Sequence, residues 1–443
     1  MNQYANMIRA LKTPYVMSRL THLYGRRDGM LVAQTARYTR LVKRHEELFN
    51  VSDEEVQLIS APGRTELSGN HTDHNRGKVL AAAVNLDTVA AVSRRKDMTV
   101  RLCSEGYPAV EISLDSLAYV PAEVGKTASL IRGVAARMKE LGYPIGGFDA
   151  AVTSNVLSGS GLSSSAAFEV LICAIIDSLY GNFNISPIIR AQIAQYAENH
   201  YFGKPSGLMD QMASSVGGLV TIDFKKDEPD VKPISYDFAS RGYALVVVNT
   251  GGSHDDLTAD YASIPTEMKQ VAAFFGEDVL RRVRPEQLIQ EMSAVRENTS
   301  DRAVLRAMHF FHENKRVCDQ VSALERDDLA AFFKDVIASG QSSFMYLQNV
   351  YARPNEQQLS LGLALAEELL KNDGAWRVHG GGFAGTTLNF VPMHQVATFT
   401  ETIELAFGAH CCHQLDIRPE GAARIDGLYQ QSLESFEETI QQG

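Results

Sequence analysis

The segment Ser158-Gly-Ser-Gly-Leu-Ser-Ser-Ser-Ala-Ala167 constrains this chain more than any other. It follows a strand-like run, Ala150 to Asn155. It leads into apolar residues at helical spacing: Ala167, Val170, Leu171, Ala174, Ile175 and Leu179. Small residues let a backbone turn tightly and approach a ligand closely. A turn that feeds a helix start presents unpaired N–H groups and the positive end of the helix dipole to an anion. Ser163, Ser164 and Ser165 add three hydroxyl donors and an oxygen ligand suited to magnesium. Taken alone, the segment has two readings, a phosphate cradle and a serine-capped helix after a flexible turn. It is not a Walker A loop, because no Gly-Lys-Ser/Thr follows.

The chain around it has 443 residues, enough for two to three domains. Apolar residues make up 45% and charged residues 21%, which excludes a disordered or collagen-like chain. Acidic residues outnumber basic ones by 53 to 42, so bulk nucleic-acid binding is not expected. The five cysteines, Cys103, Cys173, Cys318, Cys411 and Cys412, are odd in number and scattered, which predicts a reducing compartment. No secretory pattern opens the chain and no run of about 18 apolar residues occurs, so a cytoplasmic protein without a membrane span is expected.

The first 50 residues read as amphipathic helix, with the basic pairs Arg26-Arg27 and Lys43-Arg44 on a solvated face. Short strands follow from Val56 to Arg94. Met98, Val100 and Leu102 alternate as in another strand. Ser186-Pro187 opens a helix, and Leu219 to Phe224 reads as a strand. The charged stretch Lys225 to Asp230 is the best candidate for a domain boundary. Ala244 to Val248 reads as a buried strand, Pro265 to Leu370 as helices, and Thr387 to Val391 as a strand after Gly380-Gly381-Gly382. Strands and helices are interleaved without strict alternation, which predicts an α+β fold. The expected domains are a helical extension over residues 1–55, a first domain over 56–228 holding the loop at 158–167, and a second over 229–443.

Two further segments carry chemistry. Gly63-Arg-Thr-Glu-Leu-Ser-Gly-Asn-His-Thr-Asp-His74 packs Arg64, His71, Asp73 and His74 into a dense polar cluster. Arg suits a phosphoryl group, and Asp, His and Asn suit the hydroxyls of a polyol. His71, Asp73 and His74 also have the side chains of a metal site, if a further ligand joins them. The third segment runs from Glu198 to Gln211 and ends in Gly207-Leu-Met-Asp-Gln211. Asp210 stands among apolar and small residues, as either a satisfied structural carboxylate or a base. The run His410-Cys411-Cys412-His413 matches no common zinc spacing.

Together these segments resemble the galactokinase branch of the GHMP small-molecule kinases. Family signatures read Gly-Arg-x-Asn-Leu-Ile-Gly-Glu-His-Thr-Asp-Tyr, then Gly-Leu-Ser-Ser-Ser-Ala, Gly-Ile-Met-Asp-Gln and Thr-Gly-Gly-Gly-Phe-Gly-Gly. Here they stand, in the same order, as Gly63 to His74, Gly161 to Ala166, Gly207 to Gln211 and His379 to Gly385. Asn249-Thr250 with His254 and Tyr261, and Glu313 to Val317, echo further family segments. The likeness runs from about Ala61 to near Pro419. The resemblance implies a two-lobed GHMP-kinase-like architecture with the active site between the lobes, and ATP and Mg2+ as cofactors. It implies that Arg64 stabilises the transferring phosphoryl group and that Asp210 orients or deprotonates the anomeric hydroxyl. By the same likeness Ser158, Gly159, Ser160, Gly161, Leu162, Ser163, Ser164 and Ser165 hold ATP. Ser165 and Glu198 bind the metal, and Asn70, His71, Asp73, Gly207 and Tyr261 line the sugar pocket.

The implied reaction is ATP-dependent phosphorylation of a monosaccharide, galactose first, at its anomeric hydroxyl. Several positions depart from the signatures: Asn70 for Glu, His74 for Tyr, His379 for Thr and Ala384 for Gly. An amide at position 70 carries no charge to repel an anionic sugar. That makes a C6-modified sugar such as galacturonate the alternative substrate. A sugar sensor without turnover, and a metal-dependent hydrolase built on His71, Asp73 and His74, are the alternatives from other classes.

Overall fold

The computed structural model describes residues 3–52, 54–156, 161–252, 257–371, 373–383 and 385–426. Ser158, Gly159 and Ser160 of the expected ATP loop lie outside the described residues, as do His254 and Ala384.

Three helices open the chain: α1 (Gln3–Ala10), α2 (Pro14–Tyr24) and α3 (Met30–Phe49). The single amphipathic helix read from the sequence is divided because Thr13 caps a new start at Pro14 and Gly25 closes α2 at a φ of 85°. Arg26-Arg27 therefore falls in a connection rather than on a helix face, and Arg27 Nε binds Asp416 at 2.7 Å.

The first sheet contains β1 (Val56–Ser68), β2 (Lys78–Arg94), β3 (Thr99–Ser104), β4 (Val110–Ser113), β5 (Phe148–Ser154), β6 (Leu219–Asp223) and β7 (Asp230–Ile234). All pairs are antiparallel except β3 with β5. β2 is apolar over long stretches without alternation, the pattern of a strand covered on both faces. One face bears Val56, Leu58, Val89 and Ala91, packed under α1 to α3. The other bears Ile59, Ala61, Ala90 and Val92. These pack under α4 (Thr127–Glu140), α5 (Ser164–Tyr180) and α6 (Pro187–Ala197), with the short α7 (Met209–Val216) beside β1 and β2. The charged stretch Lys225 to Asp230 forms the turn of the β6–β7 hairpin, in which Asp223 faces Asp230. The first sheet thus continues through Ile234, past the expected boundary at residue 228.

The second lobe is built on β8 (Tyr243–Asn249), followed by α8 (Thr258–Phe274), α9 (Pro285–Gln290), α10 (Met292–Asn298), α11 (Asp301–Glu325), α12 (Leu329–Ser342) and α13 (Gln358–Leu370). Then come β9 (Ala375–His379), β10 (Thr386–Pro392), α14 (Val396–Phe407) and β11 (Cys412–Leu415), in a sheet ordered β11-β8-β10-β9. Leu245 and Val247 face the α11–α12 side, and Ala244, Val246 and Val248 face α13 and α14. The last strand, β12 (Ala423–Arg424), returns to pair with β1. Among the described residues no helix is long and apolar enough to cross a membrane.

One buried carboxylate gathers distant parts of the first lobe. Asp87 on β2 accepts from Arg37 of α3 at 2.6 Å, Tyr24 of α2 at 2.5 Å and Arg418 at 2.9 Å. Burial raises its carboxyl, but the two guanidinium groups outweigh that and hold it below its ordinary value. The Asp87 backbone exchanges two bonds with Asn155, at the root of the serine loop.

His45 on α3 is buried between Tyr4 (3.1 Å) and Ser93 (3.2 Å), and burial lowers its pKa to about 4. The folded chain then holds this ring neutral while an unfolded chain protonates it below pH ~6.5. Stability from this site is present above pH ~6.5 and falls as pH drops toward 4, by at most ~1.4 kcal/mol per pH unit. His45→Gln is predicted to flatten the loss of stability between those pH values by about one proton. Urea midpoints measured across that range check it, and parallel slopes in both proteins would refute it.

Candidate functional site

The site begins with two irregularities in β1. The register against β2 shifts between Pro62 and Arg64 and again between Glu66 and Ser68. Such bulges re-aim side chains. At Gly63 a Cβ would stand 2.9 Å from the Leu162 carbonyl, so the strand and the serine loop meet backbone to backbone. The Arg64 amide donates to that carbonyl at 3.1 Å, and its guanidinium binds the Gly161 carbonyl and, at 2.7 Å, Asp210 Oδ1.

Asp210 lies in the first turn of α7, and a third of its side chain is open. Ser163, the left-handed residue at the start of α5, donates its hydroxyl to Asp210 Oδ2. Burial raises the Asp210 carboxyl, but the Arg64 charge and the two hydrogen bonds hold it below the ordinary value. The structure thus brings Arg64, Asp210, Gly161, Leu162 and Ser163 into one cluster, with Ser164 and Ser165 on the first turn of α5.

Glu198 opens a one-turn π-helical segment, Glu198–Phe202, after α6. Its carboxylate is buried; Oε1 accepts from Ser165 at 3.3 Å and Lys204 at 3.1 Å, and Oε2 from Ser206 at 2.6 Å and Gln211 at 2.8 Å. A carboxylate oxygen next to a serine hydroxyl at a helix start is a donor pair that fits magnesium. Among the described residues no three His, Cys, Asp or Glu side chains cluster closely enough to hold a metal by themselves. The trio His71, Asp73 and His74 is thus not such a site.

His71 is kept neutral by its burial and by the neighbouring His74. Its Nε2 lies 3.0 Å from the Gly381 carbonyl, which can only accept, so Nε2 carries the hydrogen and Nδ1 is left as an acceptor. Burial and the neighbouring His74 lower its pKa to about 4. Asp73 accepts from the His74 amide at 2.9 Å. A Cβ at Gly207 would stand 1.7 Å from Asp73 Oδ2, so only glycine lets the two segments meet. Tyr261 on α8 donates to the Gly382 carbonyl at 2.8 Å, and its ring lies where a Cβ on Gly381 would be. His71 and Tyr261 thus meet at the glycine run, and Asp73 and Gly207 meet each other.

Asn70 is different. It is 1% exposed, and both ends of its amide are taken up by the protein. Nδ2 donates to Glu66 Oε1 at 2.9 Å and the Gly380 carbonyl at 2.7 Å, while Oδ1 accepts from Asn349 at 2.8 Å. No edge of this side chain is left for a sugar, so the expected sugar contact is replaced by a supporting one. Its partner was missed. The signature has Asn where Glu66 stands and Glu where Asn70 stands, so the two side chains are exchanged, and here they bond each other. Comparing both positions at once, rather than position 70 alone, would have found Glu66. Arg377 on β9 completes the cluster with a bond to Glu66 at 2.8 Å. Burial raises the Glu66 carboxyl, while Arg377 and Arg64 pull it back.

Glu313 on α11 supports the same loop, accepting from Ser68 Oγ at 3.0 Å and the Gly69 amide at 3.1 Å. Burial raises its carboxyl, but Arg316, His309 and Arg377 bring it down to about 2. His379, in the signature's Thr position, links Thr65 of β1 (3.1 Å) to Thr386 of β10 (3.0 Å).

The fold is that of the GHMP small-molecule kinases. The chain aligns over 82% of its length with a crystal structure of mevalonate kinase, at a TM-score of 0.58, 14% identity and 99% of that chain. It aligns over 88% with a Lactococcus lactis galactokinase complexed with galactose, at a TM-score of 0.76, 23% identity and the whole of that chain. Residues 43–94 match the galactokinase galactose-binding signature, and residues 129–218 the GHMP kinase N-terminal domain. A galactokinase of Glaesserella parasuis is 33% identical over 78% of this chain and 88% of its own, and one of Streptomyces coelicolor 33% over 83% and 92%. The chain belongs to the galactokinase family. It is an ATP-using sugar kinase.

The exchanged pair makes a reciprocal prediction. Asn70→Glu places two carboxylates in one buried site, and Glu66→Asn leaves Arg377 without its partner. Each is expected to cost about 3–5 kcal/mol. The double exchange restores one carboxylate and one amide, and should recover at least ~1 kcal/mol relative to the sum of the singles. Urea denaturation of the four proteins measures it, and strict additivity would refute the pairing.

Proposed function

We propose that this kinase transfers the γ-phosphoryl group of ATP to the anomeric hydroxyl of galactose. The observation that carries the reading is the contact of Asp210 with both Arg64 and the serine at the start of α5. A carboxylate, a guanidinium and a helix start at one point match the needs of phosphoryl transfer, which are alignment and charge neutralisation. The sugar oxygen attacks the γ-phosphorus, the bond to the β-phosphate oxygen breaks, and ADP leaves. Asp210, held ionised by Arg64, accepts the hydroxyl hydrogen bond and then the proton. Arg64 faces the charge on the transferring group. Gly161 to Ser165, with Ser158 to Ser160, cradle the phosphates. Ser165 and Glu198 would hold Mg2+, which would neutralise phosphate charge. His71 Nδ1, Asp73 and Tyr261 face the sugar hydroxyls, with Gly207 giving Asp73 its room.

Galactose is favoured by the galactokinase relatives and by the matching galactose-binding signature. The galacturonate alternative rested on Asn70 facing the sugar, and its amide is already taken up by protein. The cytoplasm is the proposed compartment, in keeping with five free thiols.

ADP release over a panel of galactose, glucose and galacturonate tests the substrate. The highest kcat/KM is expected for galactose, and no release above background with galactose would overturn the proposal. Asp210→Asn is predicted to lower kcat by about 10²–10⁴-fold with little change in sugar binding. Near wild-type turnover in that variant would remove Asp210 from its role.

A further inference from the structure

Glu169 is a fully buried carboxylate that the proposed reaction does not use. It lies on α5 four residues beyond Ser165, and residues four apart share a helix face. The Gln211 amide nitrogen stands between two carboxylates, 3.0 Å from Glu169 Oε2 and 2.8 Å from Glu198 Oε2. An amide nitrogen carries two hydrogens, and each carboxylate takes one. Glu198 Oε2 also accepts from Ser206, while Oε1 faces Ser165 and the half-exposed Lys204 ammonium. Glu169 Oε1 and Gln211 Oε1 are buried without a hydrogen-bond partner among the described residues. Unpaired buried oxygens cost stability, so an arrangement that keeps two of them calls for a reason outside packing.

We infer that Glu169 is a positioning residue for the metal-binding carboxylate, holding the Gln211 amide so that Glu198 presents Oε1 toward Ser165. The inference rests on the reading of Ser165 and Glu198 as magnesium ligands. Gln211 follows Asp210 on α7, so the same chain of bonds also fixes the turn that carries the proposed base. Outer partners of this kind change metal affinity by about 10–100-fold when removed.

The test uses the full-length protein with Glu169→Leu, Glu169→Gln and Gln211→Leu. The magnesium midpoint of turnover is one readout. Mn2+ binding followed by electron paramagnetic resonance, with a non-hydrolysable ATP analogue present, is the other and needs no turnover. Glu169→Leu is expected to raise both midpoints by about tenfold or more while the KM for sugar holds. Glu169→Gln keeps a carbonyl oxygen for the Gln211 amide and should stay within about threefold of wild type. Gln211→Leu should match Glu169→Leu, and the double variant should add nothing further. Unchanged metal midpoints in Glu169→Leu overturn the inference. If that variant does not fold, unchanged midpoints in Gln211→Leu overturn it instead. A wild-type enzyme that turns over without divalent metal overturns the magnesium reading itself. A metal-dependent wild type beside unaffected variants overturns only the role of Glu169.

Discussion

The contact on which the site depends is the buried ion pair between Glu66 on β1 and Arg377 on β9. It joins the two sheets. Arg377 also donates to the Leu67 and Val378 carbonyls, so its guanidinium binds both strands at once. In a dry interior an unpartnered charge is far more costly than a pair, and removing either member leaves the other exposed to that cost. Glu66 in turn holds Asn70, and Asn70 holds Gly380 and Asn349. The polar loop of the first lobe and the glycine run of the second are thereby fixed to one another.

The proposed chemistry sits beside this pair, at Arg64. Arg64 and Glu66 are two residues apart on a regularly paired stretch of β1 between the two bulges, so both leave the same face of the strand and diverge only at their tips. One points to Arg377 and the second lobe, the other to Asp210 and the serine loop. Around them the proposed sugar-facing residues His71 and Tyr261 are bonded to the backbone carbonyls of Gly381 and Gly382. A carbonyl can only accept, so it fixes the tautomer of His71 and the direction of the Tyr261 hydroxyl without adding charge to the pocket.

The opening helices belong to the same scheme. Tyr24 and Arg37 reach Asp87, Asp87 holds Asn155, and Asn155 stands where β5 gives way to the serine loop. The face of the first sheet that they cover carries Val56, Leu58, Val89 and Ala91, which are as apolar as the residues on its other face. A sheet apolar on both faces needs a cover on each.

The sequence by itself determined the elements with a strong local cause and the reaction class. Ser186-Pro187 starts α6, the Ser163 to Ser165 run begins α5, and the apolar run Ala244 to Val248 forms the buried β8. The resemblance carried by the four ordered motifs implied roles for Arg64, Asp210 and Ser165, and by the same likeness for Glu198 outside them. Tertiary structure decided whatever depends on a partner far along the chain. The Lys225 to Asp230 stretch reads as a linker until β6 and β7 pair across it. Asn70 reads as a sugar contact until Glu66, Gly380 and Asn349 take up its amide. Glu169 reads as one charge on an apolar helix until Gln211, 42 residues on, connects it to Glu198. Composition and spacing record what a side chain is able to bond, whereas the fold decides which of those bonds are already made inside the protein and which remain for the substrate.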